Sequence, residues 1–299
     1  MTSVGAIFDD KVGAYSAEIT ANDKKTLSKA ASMMSPGAPI YIAALPKSSA
    51  AELIEKAEHA RSLGLDPIPH LVARNYASAE ELKDCLGALQ QRAKNTKALV
   101  LGGDRDDPAG PFDSALQLIE TGYLQEYGVH GISVGCYPEG HPRISDEVLA
   151  QALRDKIDAS EKAGLAVRLI TQICFDADVI LDFVRSLRRS GIHAPLRVGV
   201  VGPTKFSTLF KYAVVCGVGP SLRSLSERRD LHKKLLTGYR PDDIVRAISA
   251  ASHIEPDLGI VGAHFFTFGS LSKSVEWLSA EDMTSLQFSP APKFDWDQR

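Results

Sequence analysis

Tyr137-Pro138-Glu139-Gly140-His141-Pro142 packs an aromatic ring, a carboxylate and an imidazole into five positions, with proline on both sides stiffening the backbone. A tyrosine can stack on a flat ring, and a histidine can donate to a phosphate or a ribose. The cluster follows an apolar run, Gly131 to Cys136, that reads as a strand. Other chemistry-bearing residues sit in similar places. Glu18 lies inside Tyr15-Ser16-Ala17-Glu18-Ile19, where a carboxylate is costly unless it is paired or functional. Burial would raise its pKa, which suits a general acid. The alternative is a structural ion pair with a Lys or Arg, but no cation adjoins this strand end. His70, in Pro69-His70-Leu71, taken alone reads better as a core histidine donating to a backbone carbonyl. Asp104 follows Gly102-Gly103, whose missing side chains let backbone approach a ligand closely. With Asp106 and Asp107 it suggests magnesium, but no phosphate-cradling glycine loop accompanies it, so no metal is expected. Gln172, after Ile170-Thr171, can pair donor and acceptor with the edge of a heterocycle or sit satisfied inside the fold.

These residues need a scaffold that gathers strand ends. Strands are expected at Gly13–Ile19, Pro39–Leu45, Pro67–Ala73, Ala98–Gly102, Gly131–Cys136, Ala166–Cys174, Leu196–Val201 and Gly259–Phe268. Amphipathic helices are expected at Ser49–Leu63, Ser78–Lys94, Ser145–Ala163, Asp176–Arg189, Thr204–Val215, Pro241–Ala251 and Leu271–Leu278. Continuously apolar strands imply burial on both faces. Eight strand–helix units point to a single-domain (β/α)8 barrel, in which chemistry belongs at the C-terminal strand ends. An open doubly wound sheet is the runner-up, but no GxGxxG follows the first strand. The domain is expected to span 1–299, with 287–299 as a surface tail.

The chain has 299 residues, 44% hydrophobic and 24% charged, at net charge −3. That balance gives no electrostatic case for nucleic acid or an anionic membrane. Cys85, Cys136, Cys174 and Cys216 form no CxxC, so buried free thiols are expected. With no signal peptide and no membrane-spanning run legible, the protein is expected in the cytoplasm, as a possible homo-oligomer.

Glu18, Pro69-His70-Leu71, Gly103-Asp104, the YPExHP block at 137–142, Thr171-Gln172 with Phe175-Asp176, and His264-Phe265-Phe266-Thr267 together resemble the methylenetetrahydrofolate reductase family, in order and spacing from about residue 13 to 280. The resemblance implies a (β/α)8 barrel that uses FAD to pass a hydride between NAD(P)H and the pair 5,10-methylenetetrahydrofolate and 5-methyltetrahydrofolate, within one-carbon metabolism and methionine biosynthesis. It implies Glu18 as the acid that assists ring opening and Asp104 as the aspartate near both flavin and pterin. His70, Gly103, Asp104, Ala115, Tyr137, His141 and Lys156 then hold FAD, with Lys156 reaching its phosphates. Glu18, Asp104, Gln172, Thr208 and Phe266 then hold the folate.

The chain also departs from that family. Gly102 stands where the family has Arg, Ser114 where it has Tyr, Ala43 or Ala44 where it has Thr, Thr208 where it has a second Gln, and Gly269-Ser270 where it has Asn-Arg. Fewer flavin contacts, with Glu18, Asp104 and Gln172 retained, leave two alternatives. One is an enzyme that mainly oxidises 5-methyltetrahydrofolate in a demethylation pathway; the other is a folate-binding barrel without turnover. A flavin-free lyase or aldolase would want a Schiff-base lysine near the sixth strand's end, and Ala166–Cys174 contains none.

Overall fold

The computed structural model of the protein describes residues 15–20, 24–45, 48–215, 218, 238–280 and 288. Eight strands pair in parallel and in chain order into a closed barrel: β1 Tyr15–Ile19, β2 Pro39–Ile42, β3 Asp66–Val72, β4 Lys97–Leu101, β5 Gly131–Cys136, β6 Ala166–Thr171, β7 Leu196–Val201 and β8 Ile260–Phe266. β1 closes on β8, with Ser16 opposite His264 and Glu18 opposite Phe266. The expected (β/α)8 architecture is therefore present. Three strands stop two or three residues earlier than their apolar runs suggest. β2 ends at Ile42 and β6 at Thr171. β8 ends at Phe266, two residues before Phe268 turns into the left-handed region at φ 46.

Helices cover the outside: α1 Lys24–Ala31, α2 Ala50–Ser62, α3 Ala79–Ala93, α4 Ala115–Glu120, α5 Tyr123–Glu126, α6 Asp146–Lys162, α7 Ala177–Arg189, α8 Phe206–Val215, α9 Asp242–Ile254 and α10 Leu271–Ala280. Their starts are set by side chains that satisfy the orphan N–H groups of a first turn. Ser49 Oγ accepts from Glu52 N while Glu52 answers at Ser49 N, Ser145 caps α6, and Asp176 caps α7. Ser78 caps α3 through Glu81 N, but the Glu81 carboxylate reaches back one residue further, to Ala77 N at 2.7 Å. Helix faces and outward strand residues form one continuous core, containing Leu53, Leu86, Val134, Leu169, Val184 and Phe265.

Inward residues alternate with outward ones along each strand. Tyr41, Ile68, Leu99 and Ile170 form a separate apolar cluster inside the barrel. The interior is not wholly apolar: Ser16, Ser133, Arg168, Arg197 and His264 are buried there, and the Tyr41 hydroxyl bonds Ser133 Oγ at 2.8 Å. Gly199 is required by packing, since a Cβ would lie 2.2 Å from the Thr171 carbonyl oxygen and 2.8 Å from the Phe266 ring. Gly199→Ala should destabilise the barrel by at least about 1–3 kcal/mol, read as a lower urea midpoint at unchanged m-value.

Cys85, Cys136 and Cys174 are free and buried, as expected. Cys216, the tail from 289 onward and nearly all of the irregular Gly217–Arg240 connection lie outside the described residues. Among the described residues no helix is long and apolar enough to cross a membrane.

Candidate active site

Glu18 points into the barrel, because one of its partners lies on β3, which only the interior connects to β1. Its Oε2 is 3.4 Å from His70 Nε2 on β3 and 3.7 Å from His264 Nε2 on β8. The Tyr41 ring stands edge-on to both imidazoles. Ser16 Oγ lies 2.9 Å from His264 Nδ1, so serine, imidazole and carboxylate stand in a row, with the imidazole–carboxylate gap longer than a hydrogen bond. If His264 donates from Nε2 toward Glu18, its Nδ1 accepts the Ser16 hydroxyl proton. Neither imidazole Nε2 makes a formed hydrogen bond, although both are buried. Such atoms are costly to leave unpaired.

The electrostatics correct one sequence expectation. Burial does work to raise the Glu18 carboxyl, but the imidazoles of His70 and His264 work against it and prevail, leaving the pKa below the ordinary value. Among the described residues the partners of Glu18 are thus two imidazoles, not a Lys or Arg. His70 faces Glu18 and not a backbone carbonyl. Burial likewise holds both histidines below their usual range, with Glu18 opposing. Unfolded histidines bind protons near pH 6.5, where the folded ones stay neutral, so their contribution to stability is full above about 6.5 and is lost as pH falls. Glu18 adds a second loss below its unfolded value of 4.5. Urea midpoints should therefore fall between about pH 7.5 and pH 5. In His264→Asn the fall should be shallower; an equal slope would contradict the assignment.

The β4 and β5 ends form the adjoining rim. Asp104 is exposed on the loop after β4. Its charge is felt at Tyr137 and His141, whose rings meet edge-to-face at 5.5 Å. Burial first, then Cys136 and Asp104, pushes the Tyr137 phenol up. Arg143 N donates to His141 Nδ1 at 3.2 Å, which leaves the His141 proton on Nε2. Asp106 is taken by Arg143 at 2.9 Å, and among the described residues no group of three or more His, Cys, Asp or Glu is placed to hold a metal. Lys156 leans from α6 toward Cys136. It is half-buried, and no carboxylate among the described residues pairs with it; burial lowers its pKa. Ala115, first residue of α4, is buried in the outer core, and the Ser114 hydroxyl is committed to capping that helix at Gln117 N.

On the opposite side, Gln172 follows β6. Its Oε1 accepts from Ile173 N at 2.9 Å. Thr208 is half-buried on α8. Phe266 and Phe268 pack on an apolar wall of Ile173, Phe175, Val201 and Phe206, and Phe268 stacks on Tyr212 at 3.8 Å. The expected residues thus divide. Glu18, His70 and Phe266 meet at the base of the mouth, with Asp104, Tyr137 and His141 after β4 and β5 and Gln172 after β6, while Lys156 lies on α6 beside Cys136 and Thr208 on α8. Ser16, Tyr41 and Ser133 carry no distinguishing signal in the sequence, and His264 stands out there only within a motif.

The sequence profile described as methylenetetrahydrofolate reductase matches residues 6–233. The chain belongs to the methylenetetrahydrofolate reductase family. Over 161 residues it is 34% identical to a 5,10-methylenetetrahydrofolate reductase of Pectobacterium carotovorum, covering 52% of this chain and 50% of that one. Over 174 residues it is 28% identical to a probable methylenetetrahydrofolate reductase (NADH) of rice, covering 51% of this chain and 27% of that one. A probable methylenetetrahydrofolate reductase (NADPH) of Caenorhabditis elegans is 32% identical over 145 residues, covering 46% and 20%. The matched part is thus half the length of the bacterial relative and a smaller share of the other two. Among solved structures, dihydropteroate synthase of Thermus thermophilus aligns at a TM-score of 0.47 with 16% identity, covering 92% of this chain and 96% of that one; a likeness so loose carries no argument.

Proposed function

We propose that the protein is an FAD-dependent oxidoreductase that interconverts 5,10-methylenetetrahydrofolate and 5-methyltetrahydrofolate, with NAD(P)H as its electron partner. The observation that carries this is the buried carboxylate of Glu18 facing two imidazoles at the base of a barrel mouth in a member of this family.

The residues present fit a flavin nucleotide. Lys156 is a half-buried cation with no carboxylate partner among the described residues, and such a group suits a phosphate. His141 carries its proton on Nε2, a donor for ribose or phosphate. Tyr137, Gly103 and Asp104 complete that rim. Bound flavin supplies the acceptance and donation of hydride. The protein's part is binding, orientation and the proton. Gln172 and Thr208 hold a pterin edge against the apolar wall of Phe266. Glu18 handles the proton that ring opening of methylenetetrahydrofolate requires, acting as acid in reduction and as base in the reverse. Its resting pKa is low, but its side chain is still 15% exposed. A ring seated over the mouth covers that remainder, and covering it strengthens the burial effect that favours the protonated form.

A predominantly oxidative enzyme is the second reading. Gly102 brings no cation, and the Ser114 hydroxyl is committed to capping its helix, so neither residue stands in for the family's flavin-contacting side chain at its position. Titrating the protein with FAD and mixing it anaerobically with 5-methyltetrahydrofolate tests both cofactor and half-reaction. Bleaching of bound flavin is the expected result; a protein that neither binds FAD nor bleaches it would end the proposal. Comparing that rate with the rate of reduction by NADH or NADPH decides between the two directions.

A further inference from the structure

Residues 102–114, between β4 and α4, carry Gly103 and Asp104 and contain no helix or strand. Connections of this length are uncommon in compact domains unless they have a function. The Asp104 carboxylate makes no hydrogen bond or ion pair to a described residue, so its position is inherited from its backbone.

Gln117 Oε1 accepts from Asp113 N at 2.7 Å and Arg143 pairs with Asp106, but one residue outside the loop makes four bonds to its backbone. Arg74 lies in the single 3-10 turn, Ala73–Asn75, that follows β3. Its backbone N donates to Gly102 O at 3.0 Å, and its backbone O accepts from Ala109 N at 3.0 Å. Its Nε donates to Asp113 O at 2.8 Å and its Nη1 to Arg105 O at 2.7 Å. Four bonds thus reach the loop at its start, on both sides of its tip and at its end, and two of them bracket Asp104 closely. The same turn leaves no slack at the glycine beside the aspartate. Gly103 has φ 111, and a Cβ there would lie 2.6 Å from Val72 Cγ1 and 3.5 Å from Arg74 Cβ. At Gly102, by contrast, a Cβ would meet only Asp113 O, at 3.8 Å. The loop start is therefore held through its carbonyl, and no side chain at 102 is needed to hold it.

We propose that Arg74 is the positioning residue for Asp104: its guanidinium, holding the Arg105 and Asp113 carbonyls beside two backbone bonds that any residue at 74 would make, sets where that carboxylate stands in the mouth. This rests on the proposed role of Asp104 at the flavin and folate. A planar guanidinium reaches two carbonyls at once, which a lysine ammonium on the same stem does not do. Displacing a reacting group by about 1 Å can cost on the order of 10²-fold in rate.

The test is a double-mutant cycle of Arg74→Ala with Asp104→Asn in the full chain, using flavin bleaching by 5-methyltetrahydrofolate. Trypsin cleavage after Arg105 in the FAD-free protein serves as a second readout. Arg74→Ala is expected to slow bleaching about 10–100-fold and to speed cleavage after Arg105. In the Asp104→Asn background it should slow bleaching no further. A loss that multiplies through in that background, or a wild-type rate in Arg74→Ala, overturns the proposal. A wild-type rate in Asp104→Asn alone removes instead the role assigned to Asp104, and the proposal with it. If Arg74→Ala does not fold, Arg74→Lys is carried through the same cycle, with the same non-additive loss expected.

Discussion

Glu18→Gln lowers the rate of folate turnover by about 10²–10⁴-fold while the protein stays folded and still takes up FAD. The expected size is that of losing a positioned acid or base. Glutamine keeps the volume and one acceptor oxygen, so Tyr41, His70 and His264 retain their packing. What disappears is the only carboxylate facing both imidazoles among the described residues. Stability in the neutral range falls modestly, because the variant removes a carboxylate that the two imidazoles hold below its ordinary pKa. Stopped-flow measurement of both half-reactions reads the result. Flavin reduction by NADH or NADPH involves no folate proton and should be far less affected. If both half-reactions fall together, Glu18 is supporting structure and not proton transfer.

Lys156→Met weakens FAD binding by about 10–100-fold, the size of one hydrogen bond to a charged group, and does not weaken the empty protein. A half-buried ammonium without a carboxylate beside it bears a desolvation cost, which is why burial lowers its pKa. Methionine keeps the length of the stem and removes that cost, so the melting temperature without FAD holds or rises. Flavin titration and thermal melts of one preparation test the two halves together. An unchanged FAD affinity would show that the phosphate is held elsewhere.

The barrel is legible in the sequence because its signals are local and repeated. Apolar runs such as Leu196–Val201 alternate with capped helices such as Ser145–Ala163, and the caps stand where expected. Short helices escape. α4 and α5 hold six and four residues, too few for a 3.6-residue period to show, and α1 has few apolar positions in its eight. The site is legible as a set of strand ends and illegible as a set of partners. Ser16 and His264 are 248 positions apart, and their contact exists only because β1 closes the barrel on β8. Tyr41, within Pro-Ile-Tyr-Ile, looks like one more apolar strand residue, yet it faces inward and packs on both histidines. For the same reason the pKa of Glu18 runs opposite to its sequence expectation: burial is readable from an apolar neighbourhood, whereas two opposing imidazoles on β3 and β8 are not.

Proton delivery by Glu18 is read from reoxidation of the chemically reduced, FAD-loaded protein with 5,10-methylenetetrahydrofolate under anaerobic conditions, wild type beside Glu18→Gln. Wild-type flavin should regain its absorbance within the mixing experiment, with 5-methyltetrahydrofolate formed in equal amount, while the variant lags by at least about 10²-fold. Reoxidation at the same rate in both proteins would contradict the account, because the proton would then reach the folate without the carboxylate placed to deliver it.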